Sequence, residues 1–189
     1  RGTKVRKCHT SRRDTFKSVN AEPIAKVENN EAIMLTQDFQ KRDSSRELRL
    51  KPNFEERVAL LKFHPNFNPE IIEHFVSKGY RGIVLEGTGL GHTSNQCLSA
   101  VRKAIDKGLI VAMTSQCIWG RVDMNVYYRG RDLLSAGVIP LEDMLSETAL
   151  VKLMWVLGQT DKVEEAEKML KTNIANEISP RTLSETTTG

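Results

Sequence analysis

Cysteine is scarce in this chain: there are three, Cys8, Cys97 and Cys117, far apart and without a C-x-x-C pair. An odd, dispersed set argues against a disulfide framework and against a zinc site, and it fits a reducing compartment. Long apolar runs are missing too, so no segment reads as a membrane-spanning helix. A basic stretch opens the sequence, but no apolar stretch follows it, which speaks against a secretory signal and predicts a cytoplasmic location. The four histidines, His9, His64, His74 and His92, lack metal-ligand spacing, so neither metal nor cofactor is expected in this chain. Aromatic residues make up 6% of the sequence and few lie near the basic stretch, which leaves little for nucleic-acid bases to stack on.

What is present fits one ordinary domain, or one domain and a piece of another. The 189 residues are 39% hydrophobic and 28% charged, as in globular rather than disordered proteins. The net charge of +4 is unevenly spread. Residues 1–17 hold Arg1, Lys4, Arg6, Lys7, Arg12, Arg13 and Lys17 against one acid, Asp14, so the rest of the chain carries slightly more acid than base. Such a run is more often a solvated face than a nucleic-acid site. Arg1 stands where a Met would open a gene product, inside an already patterned stretch, and predicts that the parent polypeptide extends upstream.

The patterning divides the chain into residues 1–27, with a short strand near Ile24 to Val27, a polar linker over 28–55 with one or two short strands, a regular domain over 56–183, and a disordered tail over 184–189. From residue 56 the periods become clear. Val58 to Leu61, Gly82 to Leu85 and Leu109 to Met113 are short apolar runs of the kind buried on both faces of a sheet. Between them lie helices. One opens at Asn68-Pro69, turns Ile71, Ile72, Phe75 and Val76 inward and stops at Gly79. The next runs from about Asn95 to Lys107, with Leu98, Val101 and Ile105 on its apolar face and Gly108 ending it. A short fourth strand falls near Val138-Ile139. Ser146 is the expected cap of a helix through Leu157 that is apolar nearly all round, and Asp161 and Glu164 form a capping-box pattern for the last helix. Alternation of this kind predicts an α/β fold: an open parallel sheet of about four strands with helices on both faces.

Several segments could carry chemistry. Glu86 to Thr93 is a glycine-rich turn between a strand and a helix, the place where open parallel sheets bind ligands. Its G-x-G-x-G spacing is not the dinucleotide pattern, and a tight turn without a ligand is an equally good reading. Thr114 to Cys117 ends the third strand; a buried small residue is a more common role for such a cysteine than a nucleophile. Gly120 to Tyr127 reads as a structured loop over the sheet edge, and Val5 to Thr10 alone says nothing.

Taken together these segments resemble the asparaginase/glutaminase family. GYRGIVLEGTGLGHTS is similar to the C-terminal strand and loop of that family, and TSQCIWGRVDMNVY and SAGVIPLEDMLSETALVKLMWVLGQ to its type I, cytoplasmic branch. The combination of LEGTGLGH, GRVDMNVY, AGVIPLEDM and NEISPRTL is most similar to the D subunits of archaeal glutamyl-tRNA(Gln) amidotransferases. The front, KVRKCHTSRRDTFKSVNAEPIAKV, resembles the end of the family's N-terminal α/β domain. The match covers nearly the whole chain.

The resemblance implies a side-chain amide hydrolysed by a threonine nucleophile, assisted by a second threonine, an aspartate and a lysine. The lysine falls on Lys7; the other three groups belong upstream, so the 189 residues alone are expected to be inactive. The C-terminal domain of the family completes a neighbouring subunit's site from the loop that here holds Thr88, Gly89 and His92. Ser115, Gln116 and Cys117 match a region used for effector binding. Homo-oligomers, a homodimer or larger, are implied. So are glutamine or asparagine as substrate and a partner, the amidotransferase E subunit, that would hold ATP and magnesium and bring in tRNA(Gln). A free type I asparaginase and a non-catalytic association module are the competing readings.

Overall fold

The computed structural model describes residues 2–182. Expectations for the tail over 184–189 lie outside the described residues. After a 3-10 turn over Gly2–Lys4 come two short antiparallel hairpins: β1 (Val5–Lys7) with β2 (Phe16–Ser18), and β3 (Ala25–Glu28) with β4 (Glu31–Met34). The second hairpin straddles residue 28, where the sequence pattern places the start of the linker. Its two turn residues, Asn29 and Asn30, both have positive φ (50° and 65°), as a twist-matched two-residue turn demands. Residues 35–57 then run without regular secondary structure. Trp155 Nε1 donates to the Lys51 carbonyl (3.1 Å), Gln159 Nε2 to that of Asn53 (2.8 Å), and the Glu55 N–H to that of Met154 (2.9 Å).

The body is the parallel sheet β5 (Val58–Lys62), β6 (Gly82–Gly87), β7 (Ile110–Ser115) and β8 (Ile139–Pro140), adjacent in that order. Helices α1 (Glu70–Ser77), α2 (Asn95–Asp106) and α3 (Tyr128–Ser135) link consecutive strands. Alternate strand residues sort between two cores, as the two-residue period requires. Ala59, Leu61, Ile83, Leu85, Val111 and Met113 face α1, α2 and α3, while Val58, Val84, Ile110 and Ala112 face α4 (Ser146–Leu157) and α5 (Val163–Lys171). The expected sheet with helices on both faces is the one observed. Small residues let the layers close: a Cβ on Gly82 of β6 would lie 2.8 Å from Leu153 Cδ2 of α4.

Local signals hold with three corrections. Asn68 Oδ1 accepts the Glu70 N–H (3.0 Å), as expected; Ser94, which the sequence reading did not single out, caps α2 by accepting the Cys97 N–H at its Oγ (3.3 Å). Ile71, expected to point inward, is exposed, because the core-facing stripe of the short α1 is only wide enough for Ile72, Phe75 and Val76. Ser146 does not cap α4. It is the first helical residue, and its hydroxyl donates to the buried Glu86 carboxylate (2.6 Å), which has the greater need of a donor. The Asp161–Glu164 capping box does not form. Arg81 draws Asp161 into an ion pair (2.9 Å), and the Thr160 hydroxyl accepts the Lys162 N–H (3.2 Å) instead.

Candidate functional site

Polar groups gather beyond the carboxyl ends of β6, β7 and β8. The β6 strand ends in a closed turn in which the Thr88 N–H donates to the His92 carbonyl and the His92 N–H to that of Thr88, both at 3.0 Å. Gly91, at φ +98°, occupies a backbone region that side chains rarely adopt, and it lies close against Met113 and Met124. Thr88 and Gly89 are exposed at the tip. His92 is half-buried, its ring edge-on to Tyr127 at 5.3 Å, and its Nε2 is buried with no hydrogen-bond partner among the described residues.

The end of β7 holds this turn in place. Ser115 Oγ donates to the Gly89 carbonyl (2.6 Å), and the Gln116 N–H to that of Gly87 (2.9 Å). Gln116 Nε2 donates to the carbonyls of Glu86 (2.9 Å) and Phe63, so one amide ties three strand ends together. Ser115 and Gln116, assigned to an effector region, thus spend their polar groups on the scaffold of the Thr88–His92 turn. Cys117 is exposed beside them, its N–H held by Ser115 Oγ (3.0 Å). The other loop expected over the edge is in place: Val122 and Met124 are buried and the Asp123 N–H donates to the Leu90 carbonyl (3.0 Å). Cys97 lies in the core, where burial pushes its thiol pKa up and makes it a poor nucleophile.

Glu86, read from the sequence as the start of the glycine-rich turn, belongs instead to strand β6, and its charge was not weighed there. Buried at the end of β6, it accepts from Ser146 Oγ and pairs with Lys62 (3.3 Å). An acid inside an otherwise apolar strand was the available signal.

The N-terminal hairpin reaches the same edge. Arg6 pairs with Glu147 (3.1 Å), and Arg6, Asn20, Ser115, Cys117 and Ser146 line one narrow depression. Lys7 is exposed on β1 and its side chain makes no ion pair or hydrogen bond among the described residues. The buried lysine of this hairpin's base is Lys4, wholly shielded, with Nζ 2.8 Å from Asp143 Oδ2 and 2.9 Å from the Asp143 carbonyl. Burial lowers its pKa, opposed by the Asp143 carboxylate. Among the described residues no three His, Cys, Asp or Glu side chains converge as a metal site, and no helix is long and apolar enough to cross a membrane.

Comparison with known proteins gives this arrangement its class. The family model for the glutaminase/asparaginase C-terminal domain matches residues 57–170, and that for the N-terminal asparaginase domain matches residues 1–40. The chain belongs to the glutaminase/asparaginase family. The thermostable L-asparaginase from Thermococcus kodakarensis superposes with a TM-score of 0.83 at 35% identity, over 94% of this chain and 54% of that one. L-asparaginase I from Vibrio cholerae gives 0.82 at 26% identity, over 95% of this chain and 54% of that one.

Higher identity is found elsewhere in the family. The chain is 58% identical over 182 residues to the D subunit of the glutamyl-tRNA(Gln) amidotransferase of Pyrococcus horikoshii, covering 96% of this chain and 42% of that protein. The D subunit of the same amidotransferase from Metallosphaera sedula is 53% identical over 183 residues, covering 96% and 41%. The chain therefore spans less than half the length of these curated relatives.

Proposed function

We propose that this chain is the C-terminal part of the glutaminase subunit of a cytoplasmic, tRNA-dependent amidotransferase. The observation that carries the reading is the 58% identity, along 96% of the chain, to the D subunit of a glutamyl-tRNA(Gln) amidotransferase. The parent would release ammonia from glutamine. Its partner, the E subunit, would take up the ammonia, bind ATP and magnesium, and amidate glutamate carried on tRNA(Gln).

In this reading Lys7 is the catalytic lysine, and its exposure on β1 is the open side of a site whose threonines and aspartate come from upstream sequence. An ammonium held beside an aspartate lowers the cost of removing the proton from a threonine hydroxyl that attacks the amide carbon. The Thr88–Gly89–His92 turn, braced by Ser115 and Gln116, would complete the site of a neighbouring copy in a homodimer or larger homo-oligomer. Cys117, exposed beside the brace, is the residue of the proposed effector region whose side chain would be open to meet a ligand.

The test is ammonia release by the full-length polypeptide, assayed with glutamine and asparagine, with and without the partner and charged tRNA. Glutamine-dependent amidation of the charged tRNA is the expected result. Brisk asparagine hydrolysis without partner or tRNA would replace this reading by a free type I asparaginase, which the structural likeness to L-asparaginases favours. The 189 residues alone should be inert towards both amides, behaving as an association module.

A further inference from the structure

Both feet of the β1–β2 hairpin stand on one buried carboxylate residue. Lys4, which directly precedes β1, gives Nζ to the Asp143 carboxylate (2.8 Å) and to the Asp143 carbonyl (2.9 Å). Asn20, two residues beyond β2, gives Nδ2 to the Asp143 carbonyl (3.1 Å) and the Gly120 carbonyl (2.9 Å), and its Oδ1 accepts the Gly120 N–H (2.8 Å). The feet are joined to each other where the Val19 N–H donates to the Lys4 carbonyl (2.8 Å). From the far side Ser179 closes the cluster, its N–H donating to Asp143 Oδ1 (2.9 Å) and its hydroxyl to the Asn20 carbonyl (3.1 Å). Above the feet, the remaining ion pair to the domain among the described residues is the half-exposed Arg6–Glu147 contact.

We infer that Asp143 is a positioning residue for Lys7, setting its place through Lys4 and Asn20 at the base of the hairpin. The inference rests on the proposed catalytic role of Lys7. An extended strand advances roughly 3.3 Å per residue, so β1 is a stiff arm of roughly 10 Å between the clamped Lys4 and Lys7. A shift at the foot is passed to the ammonium, and a misplacement of about 1 Å in a reacting group costs about a hundredfold in rate. The sheet domain would thus place a catalytic group carried on the N-terminal arm of its own chain, besides offering the Thr88 turn to a neighbour.

The experiment uses the full-length polypeptide with Asp143→Asn and, separately, Asn20→Asp, each also in a Lys7→Met background. Asn20→Asp keeps the Lys4–Asp143 pair and turns a donor into a carboxylate facing two carbonyls, so it serves if Asp143→Asn does not fold. The expected result is a fall in kcat of about 10- to 100-fold with KM changed less than about twofold, and no further loss once Lys7 is Met. Amide exchange at Val5–Lys7 and Phe16–Val19 should quicken about tenfold or more, while β5, β6 and β7 keep their protection. Wild-type kcat in the folded variants, or an equal fractional loss with and without Lys7, overturns the inference. If Lys7→Met alone keeps full activity, the catalytic role of Lys7 fails first, and that is read from the single variant.

Discussion

The sheet domain and the N-terminal arm solve the problem of stability in opposite ways. Between residues 57 and 170 the strands bury apolar side chains on both faces, and Ile83, Val84, Leu85 and Ala112 are wholly shielded. Over residues 2–56 the apolar residues are mostly open: Val27 is 75% exposed and Leu48 91%. Two-stranded hairpins are marginal by themselves. The first is held by polar anchors, Lys4 and Asn20 on Asp143, and the strap over 51–55 by backbone bonds to α4. A packed core supports its own geometry, whereas an anchored arm takes its geometry from the surface on which it stands.

The sharpest break between the regions is Lys7→Met in the full-length polypeptide. Amide hydrolysis should fall by about 10²- to 10⁴-fold, measured as ammonia release, with the thermal midpoint unchanged; retained activity removes Lys7 from the site. In the sheet domain, Leu153→Ala empties a wholly buried position of α4 and should cost about 2–5 kcal/mol in urea unfolding. A loss under about 1 kcal/mol would mean that the core around α4 collapses freely, against its close packing.

A smaller effect tests the junction between the regions. Arg57 grips Glu55 through side chain and backbone (2.9 Å for each contact), and with Arg81 it pulls the carboxyl pKa from 4.5 down to about 2. A depressed folded-state pKa means stability that is complete above the unfolded value near 4.5 and is lost as pH falls towards 2. Glu55→Gln should therefore flatten the acid limb of stability between those pH values, read from urea midpoints; an unchanged limb would show that the strap is not held by this carboxylate. The smallest effect belongs to Leu48→Ala, which should shift stability by no more than about 0.5 kcal/mol. A larger change would show that Leu48 is covered in solution.

Much of the sheet domain is legible in the residue pattern alone, for a local reason. Short apolar runs separated by helix-period segments with Gly79 and Gly108 as stops specify strands and crossovers over a few residues each. The site edge is legible in part. The glycine-rich turn stands out by its place after β6, and Glu86 as an acid in an apolar strand, but nothing local marks Gln116 as the tie between three strand ends. The Ser146 and Asp161 cap patterns mislead because each side chain has a distant partner, Glu86 and Arg81, that outbids the local backbone.

The lysines of the arm make the division plainest. In the string Lys4 to Lys7 both read as members of one solvated basic run, and only a family resemblance separates Lys7. The class of fold and the identity of the family follow from the order of residues, because periodicity and motif are properties of near neighbours in the chain. That Lys4 is buried and Lys7 exposed is a matter of tertiary structure, because the pairing depends on Asp143, 139 positions away. Whether a charge is solvated or paired is set by what the fold brings against it, and a local pattern carries no record of that.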